Sequence, residues 1–461
     1  MAIKMKQLSE FLANIKNYGK NNYIFFENRR YNYAEILQSS YRLARVLESY
    51  QYRKIYSNLK NSPLSVSLYI ASWIADIDLF VPINPRLVTN ELAAIVEDDS
   101  LFITDKICDL QIKTLYIENE LDFFDKLAQT EDFTIYAKAL TAHVSSGTTG
   151  FYQKHLHNIE QIIKYAKNRV TDLGLKQDDH LLVALSINHA FAFSYQILPA
   201  LAMGLDITIM REFEAKLVAK IINQADVTAL ALLPTMYYFL IEQDISNKNN
   251  LRYLSVAGDV ANPSLATAVK EKLGLPLLNG IGMTEVFGYG QNISASATTN
   301  IVKIFADTQV RIAKFTNVNY GKIFIKNNML PLNNQTPWLE TGDIGSFDSQ
   351  RYELSFYGRC KDIIIKGGSN ISPLELETAI LKIAGINDCI VTSKHDKIWG
   401  ETIWAYLVTP KQYCLDFINN QLSKYLAEYK KLDGIVYIDK IPLTVTGKTD
   451  RKKLKEMINH E

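Results

Sequence analysis

Five short segments of this 461-residue chain concentrate side chains able to handle a phosphorylated ligand. The first, Ser145-Ser146-Gly147-Thr148-Thr149-Gly150, follows the strand-like Ala142-His143-Val144. Small residues let a backbone approach a polyphosphate closely, and hydroxyls and N–H groups then donate to its oxygens. Taken alone, a plain surface turn is the simpler reading, and the GxxxxGK[ST] spacing of a Walker loop is missing. The second, Asn279-Gly280-Ile281-Gly282-Met283-Thr284-Glu285, also follows an apolar strand. A hydroxyl followed by a carboxylate suits a phosphate oxygen and a hard Mg²⁺ ion. A helix start, with Thr284 as cap and Glu285 in the first turn, fits equally well.

The third segment joins Trp338-Leu339-Glu340-Thr341-Gly342-Asp343 to Gly358-Arg359-Cys360-Lys361-Asp362. An aspartate can accept both hydroxyls of a ribose and an arginine can support the same sugar, or the two form an ordinary turn and a surface ion pair. The fourth, Lys366-Gly367-Gly368-Ser369-Asn370-Ile371-Ser372-Pro373, reads as a glycine loop capping a helix. The fifth, Pro442 to Arg451, carries Lys448 on a glycine-containing loop, where a lysine is usually just exposed.

The elements that must position these loops alternate between strand and helix patterns. Residues 66–77 read as a helix, 79–84 as a strand, 91–100 as a helix and 101–105 as a strand; further strands are expected at 227–234, 253–259 and 276–282. Such alternation implies βαβ units and an α/β fold with buried, largely parallel sheets, whose ligands sit at the loops after the strands. The Gly- and Asp-rich stretch 341–370 breaks the pattern. About a hundred residues follow it, so the expected division is 1–359 and 360–461, joined near Arg359–Lys361.

A net charge of +1, from 50 basic and 49 acidic residues, offers no electrostatic case for nucleic acid. Arg451-Lys452-Lys453 reads as a solvated helix face. Residues 181–205 lack Asp, Glu, Lys and Arg, but Asn188, His189, Gln196 and Pro199 within them argue against a membrane span and for a buried strand, a loop and a core helix. The N-terminus carries no apolar run that would read as a signal peptide. Cys108, Cys360, Cys389 and Cys414 are widely spaced, as expected of reduced thiols in a cytoplasmic protein.

Taken in order, the five motifs and the stretch 81–105 resemble the acyl-adenylate-forming superfamily: acyl- and aryl-CoA synthetases, peptide-synthetase adenylation domains and firefly-type luciferases. The resemblance covers nearly the whole chain. It implies a large N-terminal domain and a small mobile C-terminal α+β domain. It implies that residues 145–150 hold the ATP β- and γ-phosphates, that Thr284 contacts the α-phosphate and that Glu285 binds Mg²⁺. Asp343 and Arg359 would hold the ribose, while Gly258, Asp259, Asn279, Gly280, Ile281 and Gly282 would surround the nucleotide. Lys448 would bridge the substrate carboxylate and the α-phosphate, Lys361 would be the hinge, and Lys366, Gly367 and Gly368 would belong to the thiol-binding loop. His189, Phe191 and Phe193 fall where the family builds its acyl pocket; a hydrogen-bonded core histidine is the competing reading of His189.

The implied reaction is ATP-dependent adenylation of a small carboxylic acid, apolar or aryl and of modest size, followed by transfer to CoA. Loading of phosphopantetheine on a carrier protein is the runner-up, and a catalytically idle nucleotide-binding protein the alternative from another class. Two departures stand out. Gln153 occupies the lysine position of the phosphate motif, where Lys154 could serve only through a one-residue shift, and Ile281 stands where the family usually has a tyrosine.

Overall fold

The computed structural model describes residues 2–18, 22–126, 134–146, 152–246, 249–258, 261, 263–292, 300–315, 318–442 and 449–460. Its strands form three sheets of thirteen, six and five. In the six-stranded sheet, Lys113–Tyr116, Leu101–Thr104, Lys54–Ser57, Leu79–Pro82 and Leu140–Ser146 run parallel. Tyr152–Asn158 closes it by turning back antiparallel on Leu140–Ser146. In the thirteen-stranded sheet, Tyr23–Phe26, Asp206–Ile209, His180–Val183, Ala229–Leu232, Tyr253–Val256 and Leu278–Met283 are neighbours and parallel. All four residues of Leu101–Thr104, His180–Val183 and Ala229–Leu232 are buried, as parallel strands covered on both faces require.

Helix Pro63–Ile74 is buried at all twelve positions. Its apolar residues run right round the helix, so it needs cover on every side; the preceding Ser62 caps the Ser65 amide, Ser72 donates to the Tyr69 carbonyl, and Ser67 donates across to the Ile36 carbonyl at 3.3 Å. The charge-free stretch 181–205 resolves into strand His180–Val183, a loop, and the helical run from Ala190 to Met203, which includes a π-turn at Phe193–Ile197. Among the described residues no helix is long and apolar enough to cross a membrane.

The expected α/β architecture with parallel-rich sheets is present, and from Leu278–Met283 onward the thirteen-stranded sheet continues in antiparallel pairs. Two expectations need correction. The helix expected over 91–100 is confined to Thr89–Ala93. Glu97 and Asp99 would crowd negative charge at a helix C-terminus; instead Glu97 binds Lys54 at 2.6 Å and Lys154 at 2.5 Å, and Asp99 binds Lys54 at 2.9 Å. The basic run 451–453 is a solvated face only in part: Lys452 and Lys453 are exposed, whereas the half-buried Arg451 guanidinium takes both oxygens of the buried Glu377 at 2.8 and 3.0 Å.

Residues from 364 onward build the five-stranded sheet: Ser369–Ile371, Ile364–Lys366, Gly400–Val408 and Asp388–Asp396, with Gly434–Tyr437 beside Gly400–Val408. Ile364, Ile371, Leu376, Ile380, Val391 and Ile403 form an apolar cluster of their own under it. Contact with the preceding chain includes polar bonds: the Tyr320 hydroxyl donates to the Asn370 carbonyl at 3.2 Å, and the Asn300 side-chain amide donates to the Thr378 hydroxyl at 3.3 Å.

The glycines of the 278–291 hairpin are there for close approach. A Cβ at Gly288 would overlap the ring of Tyr195, which is buried and donates to the Gly290 carbonyl at 3.2 Å. Gly288→Ala is therefore expected to destabilise the fold by about 1–3 kcal/mol through overpacking. A urea midpoint equal to that of the wild type would contradict this packing.

Candidate active site

Strand Leu140–Ser146 delivers Ser145 to the start of the glycine-rich loop; Gly147 to Gly150 lie outside the described residues. The return strand pairs Ser145 with Gln153, Val144 with Lys154 and His143 with His155, without a bulge. Alternation then puts Gln153, His155 and His157 on one face and Tyr152, Lys154 and Leu156 on the other. Lys154 packs on that second face, its ammonium bonded to Tyr56 at 2.6 Å and paired with Glu97. Bonds from Lys154 and Lys54 overcome the opposing effect of burial and hold Glu97 down at about 2. The one-residue shift that would let Lys154 replace the missing lysine therefore does not occur.

On the first face, the His155 Nε2 lies 2.8 Å from the Ser145 hydroxyl and 3.6 Å from Glu285 Oε1. The His157 Nε2 lies 2.9 Å from both the Glu285 and Met329 carbonyls, so its N–H donates between them. Burial lowers His157 to about 4 despite those carbonyls, leaving it neutral. His143 is buried beside Phe193 and Phe287 at ring distances of 5.1 and 5.0 Å. Burial, and then the charges of His157, His155 and His189, push it well below the ordinary histidine value.

Glu285 reaches this cluster from the other sheet. Residues Thr284 to Val286 form the turn between antiparallel strands Leu278–Met283 and Phe287–Gln291, so the helix start considered for Thr284 and Glu285 does not exist. Gly282 is required there, since a Cβ would lie 2.7 Å from the Phe287 carbonyl oxygen. Asn279 is fixed by exchange with Asn292, its amide N–H donating to Asn292 Oδ1 at 2.7 Å. Among the described residues the buried Asn279 Oδ1 has no hydrogen-bond partner, while Gly280 passes close to Tyr195 and Ile281 packs partly buried on the core. Gly258, at φ +88°, follows the neighbouring strand Tyr253–Val256; Asp259 lies outside the described residues.

Asp343 and Arg359 are directly opposite on paired strands Leu339–Asp348 and Glu353–Arg359, with Nε to Oδ1 at 3.0 Å. This is a strand pair, not the ordinary turn considered for these residues. Asp343 is largely buried while Arg359 is exposed. Burial raises the Asp343 carboxyl to about 6 against the pull of Arg359 and a Thr341 hydrogen bond. Burial raises the Tyr289 hydroxyl well above its ordinary value, and the negative charges of Asp343 and Glu285 add to the effect.

The remaining candidates scatter more widely. His189 is exposed at the start of helix Ala190–Ala192, and Phe191 is half-buried against Tyr195. Phe193 is fully buried and stacks on Tyr69 at 4.3 Å; it is a core residue and does not line an open pocket. Lys361 is exposed within the short turn Cys360–Asp362 between strands. Gly367 and Gly368, at φ +55° and +81°, form the turn of hairpin Ile364–Ile371, and helix Pro373–Ile380 is capped by Ser372 instead. Lys366 is held by Asp433 at 2.7 Å. Lys448 lies outside the described residues.

Sequence reasoning missed His155. Its signal is the alternation Gln153, His155, His157 opposite Ser145 and His143, legible once a tight hairpin is assumed across the glycine loop. Among the described residues no group of three or more His, Cys, Asp or Glu side chains forms a self-sufficient metal cage. One carboxylate beside a hydroxyl suits Mg²⁺ that takes its other ligands from phosphates and water.

The family model described as AMP-binding enzyme matches residues 11–328, and that of the AMP-binding enzyme C-terminal domain matches 375–448. A 2-succinylbenzoate–CoA ligase of Staphylococcus aureus is 26% identical, covering 92% of this chain and 94% of the relative. Its Staphylococcus epidermidis counterpart is 27% identical, covering 92% of each. Among solved structures, ATP-bound MatB from Rhodopseudomonas palustris superposes with a TM-score of 0.82 at 19% identity, over 97% of this chain and 98% of the other. The o-succinylbenzoate CoA synthetase of Bacillus subtilis with its acyl-adenylate superposes with a TM-score of 0.78 at 24% identity, over 96% and 97%.

The raised Asp343 sets a pH dependence. A carboxyl raised above its solution value of 3.8 favours the folded state below about pH 4, and that contribution is lost as pH rises through about 6. A ribose that needs the carboxylate responds oppositely. AMP affinity measured by calorimetry should rise between pH 5 and 7, by up to about tenfold per unit below the Asp343 value. In Asp343→Asn that slope should vanish; an unchanged slope in the variant would assign it to another group.

Proposed function

The chain belongs to the AMP-binding enzyme family, and on that premise we propose that it is an AMP-forming carboxylate–CoA ligase acting on an aryl acid, with 2-succinylbenzoate the first candidate. One observation carries the active-site reading: Ser145 from one sheet and Glu285 from the other face each other across His155, where the glycine-rich loop begins. The substrate name comes from the relatives alone. They are CoA ligases, which favours CoA over a carrier-borne phosphopantetheine as acceptor.

In this reading a carboxylate oxygen attacks the α-phosphorus of ATP, pyrophosphate leaves, and the CoA thiol then attacks the acyl carbon to release AMP. Two anions meet in the first step, so positive charge and alignment carry the catalysis. Glu285, beside Ser145, would hold Mg²⁺, which supplies part of that charge when bound. Thr284 would donate to the α-phosphate and Lys448 would supply the remaining cation. Asp343 and Arg359 would seat the ribose, with Gly258, Asp259 and Asn279 to Gly282 around the base. His189 and Phe191 would border the acid. A division near Arg359–Lys361 into 1–359 and 360–461 lets the smaller part rotate about Lys361, withdrawing Lys448 and presenting Lys366, Gly367 and Gly368 to the thiol. The setting proposed for it is cytoplasmic, where Cys108, Cys360, Cys389 and Cys414 would stay as the free thiols they are in the structure.

The test is acid-dependent pyrophosphate release across acetate, medium- and long-chain acids, benzoates and 2-succinylbenzoate. An aryl acid should give the highest kcat/KM; AMP binding with no adenylate from any acid would favour an idle nucleotide-binding protein. Lys448→Ala should cut adenylation by about 10²–10³ yet spare CoA transfer from a supplied acyl-AMP. Lys361→Pro should do the reverse at unchanged ATP affinity, because proline locks φ at the proposed hinge. Equal loss of both half-reactions in either variant would contradict its assigned role.

A further inference from the structure

The phosphate-side hairpin carries no lysine toward the nucleotide. Gln153 is neutral, and Lys154 points to the opposite face and is bound to Glu97 and Tyr56. What the hairpin does offer there is His155, which is buried and has its Nε2 2.8 Å from Ser145 Oγ and 3.6 Å from Glu285 Oε1. Its two neighbours come from different sheets: Ser145 from strand Leu140–Ser146, and Glu285 from the turn after Leu278–Met283. The backbone of Glu285 is already fixed, since its carbonyl accepts from His157 at 2.9 Å. Only the side-chain dihedrals of Glu285 remain to be set, and His155 is the described group that sits between this carboxylate and the serine.

We propose that His155 is a positioning residue for the Mg²⁺–ATP complex, its Nε2–H aiming the Glu285 carboxylate and the Ser145 hydroxyl at the metal and the phosphates. The proposal rests on the phosphate-site reading given above and adds a residue to it. A ring nitrogen that orients a metal-binding carboxylate raises metal affinity without touching the metal, and removing such a partner commonly weakens metal binding by one to two orders of magnitude. The adenine and ribose contacts lie on other strands, so His155 should be silent toward a ligand lacking the β- and γ-phosphates. That separates a positioning role from a structural one, which would weaken every nucleotide alike.

The measurement is calorimetric binding of AMP and of a non-hydrolysable ATP analogue at several Mg²⁺ concentrations, for wild type, His155→Ala and His155→Gln. His155→Ala should raise the Mg²⁺ concentration needed for half-maximal analogue binding about tenfold or more while AMP affinity stays at the wild-type value. His155→Gln keeps an N–H near the same place and should recover most of the loss. A wild-type Mg²⁺ curve in His155→Ala, or equal weakening of AMP and analogue, would overturn the proposal. If His155→Ala does not fold, His155→Leu, which fills the same space without a donor, takes its place: a raised Mg²⁺ requirement at unchanged AMP affinity supports the proposal, and a wild-type curve or equal weakening of both ligands overturns it. A wild-type protein whose analogue binding ignores Mg²⁺ altogether would sink the phosphate-site reading itself, and this proposal with it.

Discussion

The bond that the site depends on is the one His157 makes with two carbonyls. Its Nε2–H sits between Glu285 O and Met329 O at 2.9 Å each, deep between the sheets. One ring thereby joins the closing hairpin of the six-stranded sheet to the antiparallel half of the thirteen-stranded one. A buried donor left without partners costs about 1–3 kcal/mol, so the ring holds both strands in one register. That register places Ser145, His155 and Glu285 within reach of one another. The neutral state forced on His157 by burial suits this work, since a charged imidazole there would need an anion that no neighbour supplies through its backbone.

The surroundings enforce the same geometry by packing. Phe287 lies 5.0 Å from His143 and 5.2 Å from His157, edge-on or tilted, and Phe193 fills the space between His143 and Tyr69. Gly282 and Gly288 let the strands and the Tyr195 ring approach where a methyl group would not fit. The aromatic core and the glycines therefore act together: the rings set distances and the glycines permit them. The Asp343–Arg359 pair lies further along the same sheet, beyond strand Ile301–Ile304, and is tied to this arrangement through it.

Much of this is legible in residue order. The buried parallel strands follow from continuous apolar runs ending in turn residues, and the five loop motifs follow from small residues placed after them. Other features are decided by partners far along the chain. Thr284-Glu285 looks like a helix start because local propensity cannot tell a capping turn from a hairpin turn; Phe287 pairing back on Met283 settles it. Lys154 seems available to a phosphate until the pairing of Val144 with Lys154 fixes its face and Glu97 claims its charge. Phe193 has the composition of a pocket residue, but Tyr69 and His143, fifty or more positions away, bury it. His155 was invisible for the same reason: its importance comes from Glu285, which no local pattern connects to it.

The central claim is that this site makes an acyl-adenylate. Its most direct test uses a carboxylic acid labelled with ¹⁸O in the carboxyl group, incubated with the enzyme, ATP, Mg²⁺ and CoA, followed by mass analysis of the products. Attack of the carboxylate on the α-phosphorus predicts one ¹⁸O atom in the phosphate of AMP and none in pyrophosphate. Label in inorganic phosphate, with ADP as the nucleotide product, would mean attack at the γ-phosphorus and would contradict the account.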